Sequence, residues 1–229
     1  MGKSETAGGA VSMPPFSGWR EGLPLYGPLL AAALLMALVL RPWSWSWAGV
    51  VPLMAGLAVM AFFRDFPRHC PGQPDVFYAP ADGTVSAVED LADTPHYEGP
   101  CRRISIFMSV FNAHVNRAPC AGKVRAVRYA PGRYRDARDP ASSQVNESNA
   151  LWLDTDHGLV TVRQIAGAVA RRIVCPAQEG VRLEAGQKFG MIRFGSRVEL
   201  YLPPGTEVLV KKGDITRAGL TPTARVSGR

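Results

Sequence analysis

Cysteine is scarce in this 229-residue chain. The four present, at positions 70, 101, 120 and 175, form no C-x-x-C, and the four histidines include no pair at ligand spacing, so a zinc-site signature is missing. The thiols read instead as reduced, small hydrophobes in a cytosol-facing domain. Lysine is also rare. Five lysines stand against twenty-one arginines, so the net charge of +7 is carried mainly by planar guanidiniums suited to carboxylate and phosphate. These basic residues are dispersed among acids without an aromatic-rich binding motif, which argues against a nucleic-acid partner. Past Arg64 no amphipathic helical pattern runs beyond about three turns, which disfavours βαβ repeats. The hydrolase elbow G-x-S-x-G is missing too, because Phe194 and Val198 flank Gly195-Ser196-Arg197. Apolar content of 47% is ordinary, and the 23 Gly and 19 Pro follow no period, so a collagen-like or disordered chain is excluded.

Charge is absent from two successive stretches, Gly22 to Leu40 and Pro42 to Phe63, interrupted only by Arg41. Their apolar blocks, Leu25 to Leu40 and Trp47 to Phe63, predict two helices of 16 and 17 residues. At ~1.5 Å rise each reaches about 24–26 Å, slightly less than the roughly 30 Å hydrocarbon core. Trp43, Trp45 and Trp47 mark the link as a headgroup-level turn. Arg20 precedes the first helix, while Arg64 and Arg68 follow the second. The positive-inside rule therefore puts both ends in the cytoplasm, at the inner cell membrane. The organisation expected is a flexible segment 1–21, a membrane-associated hairpin 22–63 and a domain 64–229. Alternatives for the hairpin are a half-inserted monotopic form, favoured by short helices carrying Pro28 and Pro52, and a hairpin buried in a soluble core.

After Arg64 the pattern changes to short alternating runs bounded by Gly, Pro and Asp. Strands are predicted at Ile104–Phe111, Lys123–Tyr129, Leu151–Asp154, Leu159–Arg163, Arg172–Cys175, Met191–Phe194, Val198–Leu202 and Glu207–Val210. Asp156-His157-Gly158 is a hairpin signal between two of them. The expected fold is mainly β, with antiparallel sheets. Two stretches, Glu179–Gly190 and Val210–Gly219, are similar to the barrel-sandwich folds of biotin- and lipoyl-carrier domains. None of the five lysines has a carrier lysine's context, so that similarity concerns fold alone.

Three short elements place reactive side chains at turns: Asp82 in Pro80-Ala-Asp-Gly83, His114 in Phe111-Asn-Ala-His-Val-Asn-Arg117, and Ser196 in Phe194-Gly-Ser-Arg-Val198. A serine nucleophile needs a base in reach and a group to fix that base's tautomer. Taken singly, each also reads as an ordinary turn, strand end or bulge, and spacing does not decide whether the three meet.

The ordered set of motifs resembles the phosphatidylserine decarboxylase family, in its short bacterial and archaeal branch. The residues that carry this are Met108 to Arg117 with Pro119, Gly122 and Val124, then Tyr129-Ala-Pro-Gly132, Asn146-Glu147 and Gln164-Ile-Ala-Gly167 with Ala170-Arg-Arg-Ile173. Gly190 to Glu199 with Tyr201-Leu-Pro203 completes the set. The resemblance implies a proenzyme in which Ser196 attacks the Gly195 carbonyl. Elimination then leaves a covalent pyruvoyl group at residue 196, with large (1–195) and small (196–229) chains forming a heterodimer. It also implies Asp82, His114 and Ser196 as the self-cleavage triad, with His114 the base and Asp82 orienting it. In turnover, phosphatidylserine forms a Schiff base at the pyruvoyl carbonyl, loses CO2 and leaves as phosphatidylethanolamine, without pyridoxal phosphate or metal. An apolar wall of Phe and Met is expected near Ser196. The Arg-rich loop carrying Arg133, Arg135 and Arg138 is a candidate for holding the lipid phosphate.

Two departures fall in the expected substrate segment. The family's Lys-Ala-Ser and Asn-Glu-Arg-Asn are here Pro140-Ala-Ser142 and Asn146-Glu-Ser148-Asn149. Alternatives to the leading expectation are the same chemistry on another aminoacyl lipid or on an amino acid, and a non-catalytic, membrane-anchored β domain.

Overall fold

The computed structural model describes residue 13 and residues 17–41, 45–168, 172–193 and 195–226. These divide into two compact units, one within Pro14–Pro67 and one within Arg68–Arg229.

The first unit is a helical hairpin. Helix α1 (Ser17–Val39) and helix α2 (Val50–Phe62) are joined through a 3-10 turn at Ser46–Gly49. They pack closely because small residues face them: a Cβ on Gly56 would lie 2.8 Å from Leu30, and one on Gly49 2.7 Å from the Ala33 carbonyl. The helices differ from the two similar ones expected. At the start of α1 among the described residues, the Asp65 carboxylate accepts from Gly18 N–H (3.2 Å) and Ser17 Oγ (3.3 Å), a negative charge at the helix's positive end. With 23 residues α1 is about 34 Å long, whereas the 13 residues of α2 reach about 20 Å. Among the described residues α1 alone is long and apolar enough to cross a membrane, with a mean hydropathy of 1.9. Leu34, Leu35, Leu38, Val51 and Met54 are exposed, and such an apolar surface fits membrane association. Trp45 and Trp47 are exposed at the turn with ring centroids 6.4 Å apart, while Trp43 lies outside the described residues.

The second unit is mainly β, as the alternating runs predict. Its strands are β1 (Val76–Tyr78), β2 (Gly83–Leu91), β3 (Cys101–Met108), β4 (Val115–Arg117), β5 (Gly122–Ala130), β6 (Ser148–Thr155), β7 (Gly158–Ala166), β8 (Arg172–Val174), β9 (Arg182–Leu183), β10 (Lys188–Arg193), β11 (Ser196–Leu202), β12 (Glu207–Val208), β13 (Ile215–Thr216) and β14 (Pro222–Arg225). One short helix, α3 (Ser142–Val145), interrupts them. The main sheet runs β13-β2-β3-β11-β7-β6-β5-β9 and curls against two three-stranded sheets, β4-β10-β8 and β1-β14-β12. Ladder pairing is antiparallel in all three.

All three sheets feed one apolar core, with Ile104 and Ile106 from β3, Val198, Leu200 and Leu202 from β11, Ile192 from β10 and Phe77 from β1. Strand β11 lies between β3 and β7 at the middle of the main sheet and is buried along its whole length. Its alternation sends Val198, Leu200 and Leu202 into the core and Arg197, Glu199 and Tyr201 to the opposite face. The four cysteines are free thiols. Burial pushes the Cys120 thiol up to about 12, so it packs as an uncharged hydrophobe.

Candidate active site

Ser196 opens β11, paired with Met108 at the end of β3 and with Ala166 at the end of β7. It is fully buried, and its hydroxyl donates to Met108 Sδ at 3.4 Å. Gly195, immediately before it, has φ +56°, a conformation that L side chains rarely adopt, and a Cβ built there would meet nothing within 4 Å. On the other side the Gly195 carbonyl is closely approached. A Cβ on Gly167, just past β7, would overlap the Gly195 oxygen and lie 3.1 Å from its carbonyl carbon. Glycine at 167 is what lets the two chain segments come this near. Phe194, the third residue of the expected cleavage motif, lies outside the described residues, as do Ala170 and Arg171.

His114 is also fully buried. The turn before it is closed by Asn112, whose Oδ1 accepts from Ser109 N–H (2.9 Å) and Ser109 Oγ (2.8 Å). This turn also ends β3 at Met108, short of the run to Phe111 that the apolar pattern predicts. It brings the Asn112 carbonyl to 2.9 Å from His114 Nδ1. A carbonyl oxygen only accepts, so Nδ1 carries the proton and the Nε2 lone pair is the basic one. The His114 carbonyl in turn accepts from Ile192 N–H at 3.2 Å, tying it to β10 close before the Gly195-Ser196 junction.

Asp82 is nearly buried, and its carboxylate is bound on both oxygens. Arg68 donates to Oδ1 at 2.5 Å and to Oδ2 at 2.8 Å, and Ala218 N–H donates to Oδ1 at 2.7 Å. No described hydrogen bond joins Asp82 to His114; Asn112 holds Nδ1 instead. The two residues are nonetheless linked through the backbone, because Arg117 N–H on β4 donates to the Pro80 carbonyl (3.0 Å) at the start of the Asp82 turn.

A chain of buried amides not singled out from the sequence leads to the Ser196 hydroxyl. Asn149 Nδ2 donates to Gln164 Oε1 (3.2 Å), Gln164 Nε2 to Asn116 Oδ1 (2.8 Å), and Asn116 Nδ2 to Met108 Sδ (3.9 Å), the sulfur that Ser196 also meets. Gly190 leaves room for it, since a Cβ there would sit 2.8 Å from Gln164 Nε2. Met108 thus matches the expectation of a methionine beside Ser196. Its register on the strand paired with β11 is the cause, and that register is not visible along the chain.

On the opposite face of β11, Glu199 is fully buried and accepts from Ser143 Oγ and Tyr201 OH, both at 2.6 Å. Arg163 and Arg103 approach it at 3.5 and 3.8 Å. Burial alone would raise the Glu199 carboxyl, but these two hydroxyls and two guanidiniums together hold it below its usual range. Arg197 donates to Ser143 Oγ at 2.9 Å, so the loop ending in α3 is fastened onto this polar face.

The three arginines proposed for the lipid phosphate lie on that loop. Arg133 and Arg135 are exposed, with their backbones pinned to Val145 and to the Asn146 side chain. Arg138 is exposed and already paired with Asp136 at 2.6 Å. The structure does not bring these side chains into hydrogen bonds with Ser196 or His114.

Comparison with known proteins shows what the whole chain is similar to. Residues 56–224 match the family model described as phosphatidylserine decarboxylase. The chain is 40% identical over 215 residues to a phosphatidylserine decarboxylase proenzyme of Magnetococcus marinus, covering 92% of this chain and 95% of the relative. It is 46% identical over 205 residues to one of Nitrosomonas eutropha, covering 88% and 92%. To one of Syntrophus aciditrophicus it is 42% identical over 205 residues, covering 89% and 94%.

Proposed function

The chain belongs to the phosphatidylserine decarboxylase family, and from that premise we propose that it converts phosphatidylserine to phosphatidylethanolamine after cutting itself at Gly195-Ser196. The observation that carries the self-cleavage is the junction itself. A left-handed glycine, open where a side chain would stand, leads into a buried serine at the head of a central strand.

Ser196 Oγ attacks the Gly195 carbonyl carbon, its proton passing to His114 Nε2, and the amide becomes an ester with the Ser196 amine released. A base then takes the Ser196 Cα proton, and elimination expels the Gly195 carboxylate. The dehydroalanine left at position 196 tautomerises and is hydrolysed by water to a pyruvoyl group and ammonia. The Asn112 carbonyl keeps the proton on Nδ1 and so keeps Nε2 basic. Asp82 acts at one remove, its carboxylate held in position by Arg68 and Ala218 N–H in the turn that β4 grips through Arg117. The pyruvoyl group supplies an electrophilic carbonyl for the substrate amine and accepts the electrons freed as CO2 departs. Met108 and the apolar core on that face disfavour a carboxylate charge, which assists its loss. His114 Nε2, reprotonated from solvent in each cycle, is the proton donor to the former α-carbon. Arg133 and Arg135, exposed on their loop, are available to the lipid phosphate.

The apolar hairpin holds the enzyme at its substrate. The positions of Arg20, Arg64 and Arg68 support a cytoplasmic β unit by the positive-inside rule, and its basic residues suit anionic lipid. Intact-mass measurement of the purified chain tests the proposal. Residues 1–195 and a pyruvoyl-blocked 196–229 are expected, and a single uncut chain would overturn it. Ser196→Ala should stay full length and inactive, and His114→Ala should mature slowly; normal maturation of either variant would remove that residue from its role. CO2 release from phosphatidylserine but not from free serine is the expected substrate pattern.

A further inference from the structure

The polar face of the main sheet holds more positive charge than the fold uses. Arg103 and Arg163 converge there on two carboxylates, the fully buried Glu199 and Glu89, which Arg103 binds at 2.7 Å, and Arg197 shares that face without an ion pair among the described residues. Arg197 is 5% exposed, and its Nε makes no hydrogen bond. Its terminal nitrogens reach only neutral oxygens, Ser143 Oγ at 2.9 Å and the Asp139 carbonyl at 3.4 Å. Burial pulls this guanidinium below its ordinary range; Glu199, Glu89 and Asp139 offset that in part, and Arg103 opposes them.

Arg197 lines a cavity of about 490 Å³ between β2, β3 and the loop before α3. Arg103, Arg138 and Lys212 line it too, against Glu89 as the one carboxylate in its wall. Arg138 is answered by Asp136, whereas Lys212, at the exposed turn before β13, forms no ion pair among the described residues. Ser105, Ser86 and Thr84 add hydroxyl-bearing residues, and Phe107 an apolar wall. A small anion-binding pocket has this composition and size: a few convergent donors in a cavity of roughly 300–1,000 Å³.

We infer that this cavity is a second site, which binds a phosphate group through Arg197, Arg103 and Lys212. Ser196 and Arg197 are consecutive on β11 and point to opposite faces, so the sheet separates this pocket from the Ser196 hydroxyl. Phosphate suits it because a buried guanidinium with an unused Nε–H pairs best with an oxyanion of several acceptors. The phosphate has two possible sources, a free phosphate ion and the headgroup of an anionic lipid.

The test uses the full detergent-solubilised chain and isothermal titration calorimetry with two probes, inorganic phosphate and dihexanoyl phosphatidylglycerol below its micelle concentration. Saturable binding of inorganic phosphate, weakened about tenfold or more in Arg197→Gln and in Lys212→Glu, is the result expected for a free-anion site. Saturation by the lipid alone, with the same losses, assigns the site to a headgroup. Lys212 is exposed in a turn, so its variant keeps the fold even if Arg197→Gln does not. Ser196→Ala, which forms no pyruvoyl group, should bind as the parent does. Loss of binding in Ser196→Ala would move the anion to the catalytic site and overturn the inference. So would saturable binding of neither probe, or unweakened binding in Lys212→Glu.

Discussion

At Gly167 a single hydrogen in place of a methyl group decides how closely the Gly195 carbonyl is approached. A Cβ there would overlap the Gly195 oxygen, so the carbonyl just before Ser196 and the β11 ladder would have to shift. Gly167→Ala should therefore slow self-cleavage by about tenfold or more, the effect of displacing a strained backbone by 1–3 kcal/mol. A time course of intact mass checks this; maturation at the parental rate would refute it. At this scale the candidate site was partly legible. Gly195, Ser196 and His114 stand in short motifs whose chemistry follows from residue type. Met108, Asn116, Gln164 and Gly167 fall in motifs that carry the resemblance, but their roles were not legible there, because those roles come from partners as many as 88 residues away. Asp82 was legible as a turn carboxylate, but its burial and the carboxylate's partners, Arg68 and Ala218, are set by the tertiary fold.

Among the elements, β11 carries both halves of the site on one alternating run, Ser-Arg-Val-Glu-Leu-Tyr-Leu. Its core face packs Val198, Leu200 and Leu202, and its other face buries Glu199 among guanidiniums and hydroxyls. Glu199→Gln should cost about 3–5 kcal/mol of stability in chemical denaturation, because it leaves Arg163 and its neighbours without their buried countercharge. Tyr201→Phe, which removes one hydroxyl and no charge, should cost only about 1–2 kcal/mol. Equal losses in the two variants would show that the countercharge is not what Glu199 contributes. The β6–β7 hairpin and the runs that became β5, β8, β10 and β11 were readable from alternation and turn residues. Strand β2 was not, because a register shift between Val85 and Ala87 breaks its period of two. The short β1 and β14 escape for another reason: three or four residues give too little pattern, and it is their pairing with one another that makes them strands.

For the whole molecule, acid is the informative perturbation. His96 lies beside Tyr201, and burial lowers it to about 4, helped by Arg163 and Arg103 and opposed by Glu199. Above pH 6.5 the ring is neutral in both the folded and the unfolded chain, so it costs nothing. Between about 6.5 and about 4 the unfolded chain takes up a proton that the folded chain refuses, so stability falls as pH falls. Glu199, held below its usual range, adds to the loss only as pH falls further through the carboxylate range. Denaturation midpoints at pH 7 and pH 5 should draw closer in His96→Gln than in the parent, and an unchanged difference would assign the slope to other groups. The hairpin belongs to this scale as well. Leu34→Arg on the exposed face of α1 should weaken flotation with lipid vesicles, since a charge within the hydrocarbon is unfavourable, by up to about 2.5–3.5 kcal/mol at its centre.

The sequence by itself determined what depends on local order. Two uncharged stretches specify an apolar hairpin, alternating runs specify strands, and the ordered motifs around Gly195-Ser196 carry the family resemblance. The lengths of α1 and α2, the carbonyl that fixes His114, the sulfur and amides beside Ser196, and the cationic pocket behind it were decided only by tertiary structure. Each arises where segments distant in the chain are brought into register, and a hydrogen bond or a burial cost has no address until both partners are in place.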